Sequence, residues 1–130
     1  VARILIADDD VPYLDVFCEG MQAMGHEAVA VTSAEQLLGQ IAQSGFDIVF
    51  LDVVMPGGGA ITLTHEVEKA DPELPVVIIT GRPELIESPI LQQGLRNACA
   101  RVRKTATLEQ LDALVHRYAR PAGEAAGEAG

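Results

Sequence analysis

The sequence predicts an α/β chain whose helices wind onto both faces of one parallel sheet. Three observations carry that prediction. The runs Ile48 to Leu51 and Val76 to Ile79 are apolar without alternation, as in strands covered on both faces. A third run, Ile4 to Ala7, has the same character, and the three runs meet polar side chains at Asp8, Asp52 and Thr80. Segments with hydrophobic residues at helical spacing separate the runs, so strands and helices alternate along the chain.

Taken in order, Arg3 to Ala7 is the expected first strand. Pro12 suits the first turn of a helix, where its missing N–H costs nothing. Leu14, Phe17, Cys18 and Met21 fall at i, i+3, i+4 and i+7 and form that helix's buried stripe, and Gly25 ends it. Asp10 reads as an acid at the helix start, favoured by the dipole. Glu27 to Val31 is the second strand. Ser33 and Gln36 make a capping-box pattern before a helix with the stripe Ala34, Leu37, Leu38, Ile41, closed by Gly45. The third strand is expected to start at Asp47 and to emerge at Asp52, where Pro56 and Gly57-Gly58-Gly59 force a loop.

Leu63, Val67 and Ala70 mark a third helix that stops by Asp71-Pro72, and Pro75 to Thr80 is the fourth strand. Pro83 and Pro89 leave the fourth helix poorly specified, although Ser88 as cap and Pro89 as first residue would start a short one. Ala100 to Arg103 is a weak fifth strand. Thr107 and Gln110 repeat the capping box, and Leu108, Leu111, Leu114, Val115 and Tyr118 line the last helix. Residues 120–130 are rich in Ala, Gly and Glu and read as a disordered acidic tail, which leaves 1–119 as the folded domain.

Five strands alternating with five helices imply right-handed crossovers. The flavodoxin-like, doubly wound (βα)5 three-layer sandwich has sheet order 2-1-3-4-5, which sets strand one beside strand three. Asp8-Asp9-Asp10 then lies next to Asp52 at the carboxyl ends of the strands, where open α/β sheets bind ligands.

The chain's 130 residues allow one domain with a real core. A net charge of -10 repels nucleic acid and anionic membrane, so direct binding to either is not expected. No apolar stretch is long enough to span a bilayer and no signal-like segment is present, which reads as soluble and cytoplasmic. Val1 in place of Met is what a trimmed or excised chain would show. Cys18 and Cys99 lack metal-type spacing and are expected to be reduced and partly buried. His26, His65 and His116 stand isolated and read as surface or helix-face residues. The three glycines are not followed by the Lys-Ser/Thr of a phosphate cradle.

Four pieces stand in order, each at the end of an expected strand: Ile6-Ala7-Asp8-Asp9-Asp10, Leu51-Asp52-Val53-Val54-Met55-Pro56, Ile79-Thr80-Gly81, and Lys104. With these the chain resembles the receiver domains of two-component response regulators, from about Arg3 to Tyr118. The resemblance implies that Asp52 accepts a phosphoryl group, in a Mg²⁺-dependent transfer from a sensor histidine kinase or phosphotransfer protein. Asp9 and Asp52 would hold the ion directly, Asp8 largely through water, and the backbone carbonyl of Val54 would complete the set. Thr80 and Lys104 would contact the phosphoryl group and switch the face made by the fourth helix, fifth strand and fifth helix, toward an output domain or partner protein. The chain would catalyse only its own phosphorylation and dephosphorylation.

The chemistry of the residues is compatible with that. Paired carboxylates about 4 Å apart repel by roughly 4 kcal/mol at an effective dielectric near 20. A hard divalent cation removes that penalty, and phosphoryl transfer needs mainly positioning and charge neutralisation.

The chain departs from the family pattern in several places. Thr105 follows Lys104 where proline is usual, so a trans bond is expected there. Arg101 stands where an aromatic residue is usual, Gly59 only neighbours the position near Ala60 that is usually glycine, and the segment from Thr80 to Lys104 is slightly long. Arg101 and Arg103 could pair with an acidic partner surface. Val54 and Arg82 would flank the phosphoryl group, and apolar Val54 would disfavour an attacking water. Two rival readings remain. Asp8-Asp9-Asp10, Thr80 and Lys104 also resemble the haloacid-dehalogenase phosphohydrolases, with Asp8 as nucleophile, although the glycine expected after the second aspartate is Val11. The other is a pseudo-receiver, an interaction module with the fold but no phosphorylation.

Overall fold

The computed structural model describes residues 1–43, 45–55 and 58–121. Strands β1 (Arg3–Ala7), β2 (Glu27–Val31), β3 (Ile48–Asp52), β4 (Val76–Thr80) and β5 (Ala100–Arg103) form one parallel sheet in the order β2-β1-β3-β4-β5. Helices α1 (Val11–Ala23), α2 (Ala34–Gln43), α3 (Ala60–Ala70), α4 (Pro83–Ile86), α5 (Pro89–Gly94) and α6 (Leu108–Tyr118) connect or follow the strands. This is the expected 2-1-3-4-5 order.

The absence of alternation in the central strands has a direct cause. In β3, Ile48 and Phe50 point into one core with Leu14, Phe17 and Met21 of α1 and with Leu111 and Val115 of α6. Val49 and Leu51 point into the other, with Leu37 and Ile41 of α2 and Leu63 and Val67 of α3. Both faces of the strand are buried, so every position must be apolar until the strand ends at Asp52.

The helix starts follow local chemistry. Asp10 caps α1, its carboxylate accepting from the Tyr13 N–H at 3.2 Å. Thr107 and Gln110 form the full capping box on α6. At α2 the box is displaced: Ser33 Oγ accepts from the Gln36 N–H, but Gln36 Oε1 reaches back one residue further, to the Thr32 N–H at 2.8 Å. Gly25, after α1, has φ +93, a conformation that favours glycine.

Four expectations about the fold change. The third strand starts at Ile48, because the Asp47 carboxylate turns to accept the Arg3 N–H at 2.8 Å. The glycine segment expected as a loop contains an antiparallel pair, Val54–Met55 with Gly58–Gly59, while Pro56 and Gly57 lie outside the described residues. The short helix capped by Ser88 and begun at Pro89 is present as α5, as expected, but a separate short helix, α4, precedes it, because the residue before Pro89 is pushed to the extended region. The tail does not begin at Arg120. The Arg120 side chain donates to Phe46 O at 2.7 Å and pairs two-pronged with Asp71 at 2.7 and 3.1 Å. Its own N–H reaches Asp47 O. The rest of the expected tail, 122–130, lies outside the described residues. Among the described residues no helix is long and apolar enough to cross a membrane.

Candidate functional site: a carboxylate cluster at the edge of the sheet

Register decides what meets at the carboxyl edge. Ala7 of β1 pairs with Leu51 of β3, so the next residues, Asp8 and Asp52, leave the sheet side by side. Asp8 is fully buried and Asp52 is 5% exposed, while Asp9 faces solvent. Each of the three offers a carboxylate oxygen, and these oxygens lie within 4.8 Å of one another. Asp8 Oδ1 is oriented by the Asp10 N–H at 3.0 Å.

Two ionisable groups show the strain of this arrangement. Burial, followed by the charge of Asp8, pushes the Asp52 carboxyl up to about 7; Lys104 and the Val54 backbone N–H pull the other way. Lys104 Nζ lies 2.6 Å from Asp8 Oδ2 and 3.7 Å from Asp10 Oδ2. Burial works against the lysine's charge, but its hydrogen bond to Asp8 and the charges of Asp52, Asp8 and Asp10 outweigh it, so its pKa is raised. One ammonium thus faces three carboxylates.

Thr80 ends β4, the neighbour of β3, and is 1% exposed. Its hydroxyl is turned toward its own loop and accepts the Arg82 N–H at 3.0 Å. The Lys104 N–H donates to Thr80 O at 2.8 Å, which ties the ends of β4 and β5 together. The Lys104–Thr105 bond is trans, as expected. Val54 is exposed on the small hairpin, and Arg82 pairs with Glu84 in solvent. The fold therefore gathers Asp8, Asp9, Asp52 and Lys104, with Thr80 at the end of the next strand and its hydroxyl bonded within its own loop.

The sequence matches the family described as response regulator receiver domain over residues 4–116. The chain belongs to that family. The DNA-binding transcriptional regulator NtrC of Azospirillum brasilense is 28% identical over 116 residues, which is 89% of this chain and 24% of that protein. The response regulator protein FleR of Pseudomonas aeruginosa is 35% identical over 80 residues, 62% of this chain and 17% of that one. The receiver thus spans about a quarter or less of these curated relatives. Among solved structures, a CheY-like receiver from Methanospirillum hungatei superposes with TM-score 0.82 at 23% identity, covering 90% of this chain and 92% of that one. The response regulator TrrA of Thermotoga maritima, in complex with Mg(2+)-BeF, gives TM-score 0.80 at 22% identity, covering 91% and 99%. At these identities the two structures speak for the fold alone.

The receiver holds two features that sequence reasoning missed. Tyr13 in the first turn of α1 lies against the site. Its phenol is pushed up to about 12, by burial first and then by Asp8, Asp52 and Asp10. No sequence signal marked it, because it falls outside the stripe that defined α1. The second feature corrects the reading of the histidines as isolated. His26 is buried just ahead of β2, at the opposite end of the sheet. Its Nδ1 accepts the Ala2 N–H at 3.1 Å, which leaves the proton on Nε2 to donate to Asp112 at 2.7 Å. His116 Nε2 lies 3.4 Å from the other oxygen of Asp112. A backbone donor on Nδ1 leaves Nε2 without a lone pair for a cation, so this cluster is a closed hydrogen-bond network despite its ligand-like composition. The partners are far apart in sequence, and only the fold joins them. His65 is exposed as expected, and Cys18 and Cys99 are free and partly buried.

Proposed function

We propose that the receiver accepts a phosphoryl group at Asp52 and passes the change of charge to the face formed by α4, α5, β5 and α6. The observation that carries this reading is the buried Asp8–Asp52 pair, one carboxyl of which is pushed up to about 7 beside a lysine already committed to the other. A cluster of carboxylate oxygens fits a hard cation such as Mg²⁺. Asp9 and Asp52 would hold it directly, Asp8 largely through water, and the Val54 carbonyl would complete the set. When bound, the ion would offset the carboxylate charge and the charge of the incoming phosphoryl oxygens.

An Asp52 oxygen attacks phosphorus of a phosphohistidine on a sensor histidine kinase or phosphotransfer protein, or of a small acyl phosphate. The P–O bond to Asp52 forms as the P–N or P–O bond to the donor breaks, and the leaving group keeps the bonding electron pair. Lys104 moves from Asp8 to a phosphoryl oxygen, and the Thr80 hydroxyl gives up Arg82 to donate to another. Because the Lys104 N–H is bonded to Thr80 O, the two loops move together. The receiver would turn over only its own phosphorylation and dephosphorylation, in the cytoplasm. An output domain or partner protein would read the altered face. Arg101 and Arg103, exposed on alternate positions of the edge strand β5, would supply cationic contacts there.

The test is labelling of the full chain with radiolabelled acetyl phosphate or phosphoramidate and Mg²⁺. Wild type should take a hydroxylamine-labile label, and Asp52→Asn should abolish it. Label lost with Asp8→Asn but kept with Asp52→Asn would instead assign a phosphohydrolase-type nucleophile. Absence of label, together with no Mg²⁺-dependent beryllofluoride binding, would make the chain a pseudo-receiver.

A further inference from the structure

We infer that Tyr13 is a positioning residue of this site: the face of its ring seats the Lys104 ammonium at the carboxylate cluster. The inference rests on the phosphoacceptor reading and adds to it the group that keeps Lys104 in place while its ionic partner changes.

Lys104 Nζ lies 5.0 Å from the centre of the Tyr13 ring, within the range in which a cation is drawn to an aromatic face. The ring is positioned by its neighbours. Its backbone N–H is fixed by the Asp10 carboxylate at 3.2 Å. Its ring packs at 6.2 Å on Phe17, which meets Phe50 edge-on at 5.1 Å. Phe50 is a fully buried residue of β3, two positions before Asp52. Through these contacts the ring is referenced to the strand that carries the acceptor.

Lys104 donates its backbone N–H to Thr80 O, and its side chain reaches the site from the end of β5. It follows a four-residue edge strand whose side chains are only half-buried or exposed. Its stem is flexible, and both of its ionic partners, Asp8 and Asp10, lie in the acidic loop. In the proposed reaction the ammonium leaves Asp8 for a phosphoryl oxygen. An uncharged ring outside the ligand set keeps its attraction for the ammonium through that exchange.

The phenol hydroxyl supports assigning the role to the ring. It is buried and has no hydrogen-bond partner among the described residues. No bond from the hydroxyl to the protein explains the residue, and the contact it does make is through its face.

The experiment compares Tyr13→Phe, Tyr13→Leu and Lys104→Met in the full chain, with acetyl phosphate as donor and saturating Mg²⁺. Tyr13→Leu should slow phosphorylation about tenfold at saturating donor, a size set by one desolvated cation–ring contact. Restoring the ring with Tyr13→Phe should rescue that loss. In the Lys104→Met background, Tyr13→Leu should have no further effect. Independently of chemistry, the Lys104 Hε proton resonances should lie upfield in wild type and Tyr13→Phe and lose that ring-current shift in Tyr13→Leu. A wild-type rate in Tyr13→Leu would overturn the inference, as would an equal loss in Tyr13→Phe or a loss that persists without Lys104. If wild type takes no label, the phosphoacceptor reading fails, and the ring-current shift still decides whether Tyr13 seats the lysine.

Discussion

The two ends of the sheet treat buried charge in opposite ways. At the amino end, His26 is satisfied on both ring nitrogens, by Ala2 and Asp112. Nearby, Arg120 is satisfied by Phe46 O and Asp71. Both groups have partners of complementary type, and the result is structural cement. At the carboxyl end, Asp8 and Asp52 are buried against each other, with a single lysine between three carboxylates. Repulsion left in place inside a fold is what makes a site receptive to a cation and an electrophile. Buried charge is therefore informative about function only once its partners are counted.

Several measurements would break or sharpen that contrast. The largest effect is expected for Asp52→Asn, which should remove phospho-labelling altogether, whereas His26→Ala and Arg120→Ala should label like wild type once corrected for folded fraction. Loss of labelling on disturbing the amino end would erase the distinction between the two ends.

The next effect concerns stability without metal. In the fold the Asp52 carboxyl is pushed up to about 7, well above the usual aspartate range, so the folded state holds the proton more tightly than the unfolded chain. The ionised form accordingly costs the fold stability. That cost is absent near pH 4, grows as pH rises toward 7, and is complete above it. In chelator at pH 8, Asp52→Asn should be more stable than wild type by on the order of 2–4 kcal/mol, and the gap should close toward pH 4. Urea denaturation at the two pH values measures this, and a gap independent of pH would contradict it. Added Mg²⁺ should stabilise wild type more than the variant.

At the amino end the sign reverses. Arg120→Ala should destabilise the chain by about 2–3 kcal/mol, because it leaves Asp71 and Phe46 O without their donor. No gain should appear at any pH.

The smallest effects belong to the rim. Val54 is 54% exposed beside the acceptor. A polar residue there, as in Val54→Asn, should shorten the phosphorylated lifetime severalfold by helping to orient an attacking water. Reversing both charges with Arg101→Glu and Arg103→Glu should leave labelling intact and abolish binding to an acidic partner surface. Unchanged binding would remove those arginines from the output.

Much of this was legible in the chain itself, for local reasons. Continuous apolar runs such as Val76 to Ile79 marked strands buried on both faces. Caps at Ser88 and Thr107 and the stripe of Leu111 and Val115 placed helices to within a residue. The flavodoxin-like fold expected from the strand–helix alternation sets Asp8 beside Asp52, and the sheet has that order. Other features were hidden. The antiparallel pair around the glycines depends on two backbone segments meeting, which composition does not encode. The break between α4 and α5 hinges on which of two prolines restarts the helix. Arg120 looked like the first residue of a polar tail, and its carboxylate partner is contributed by the end of α3.

By itself, then, the chain's order of residues determined the periodicities, the caps, the alternation of strands and helices and the acidic strand tips, because each depends on neighbours in sequence. Tertiary structure alone decided which charges are satisfied and which are left opposed: His26 with Asp112, Arg120 with Asp71, Lys104 between Asp8 and the ring of Tyr13. The physical reason is that electrostatic free energy depends on distances between groups far apart along the chain and on how much water separates them, and neither exists until the sheet and its helices have closed.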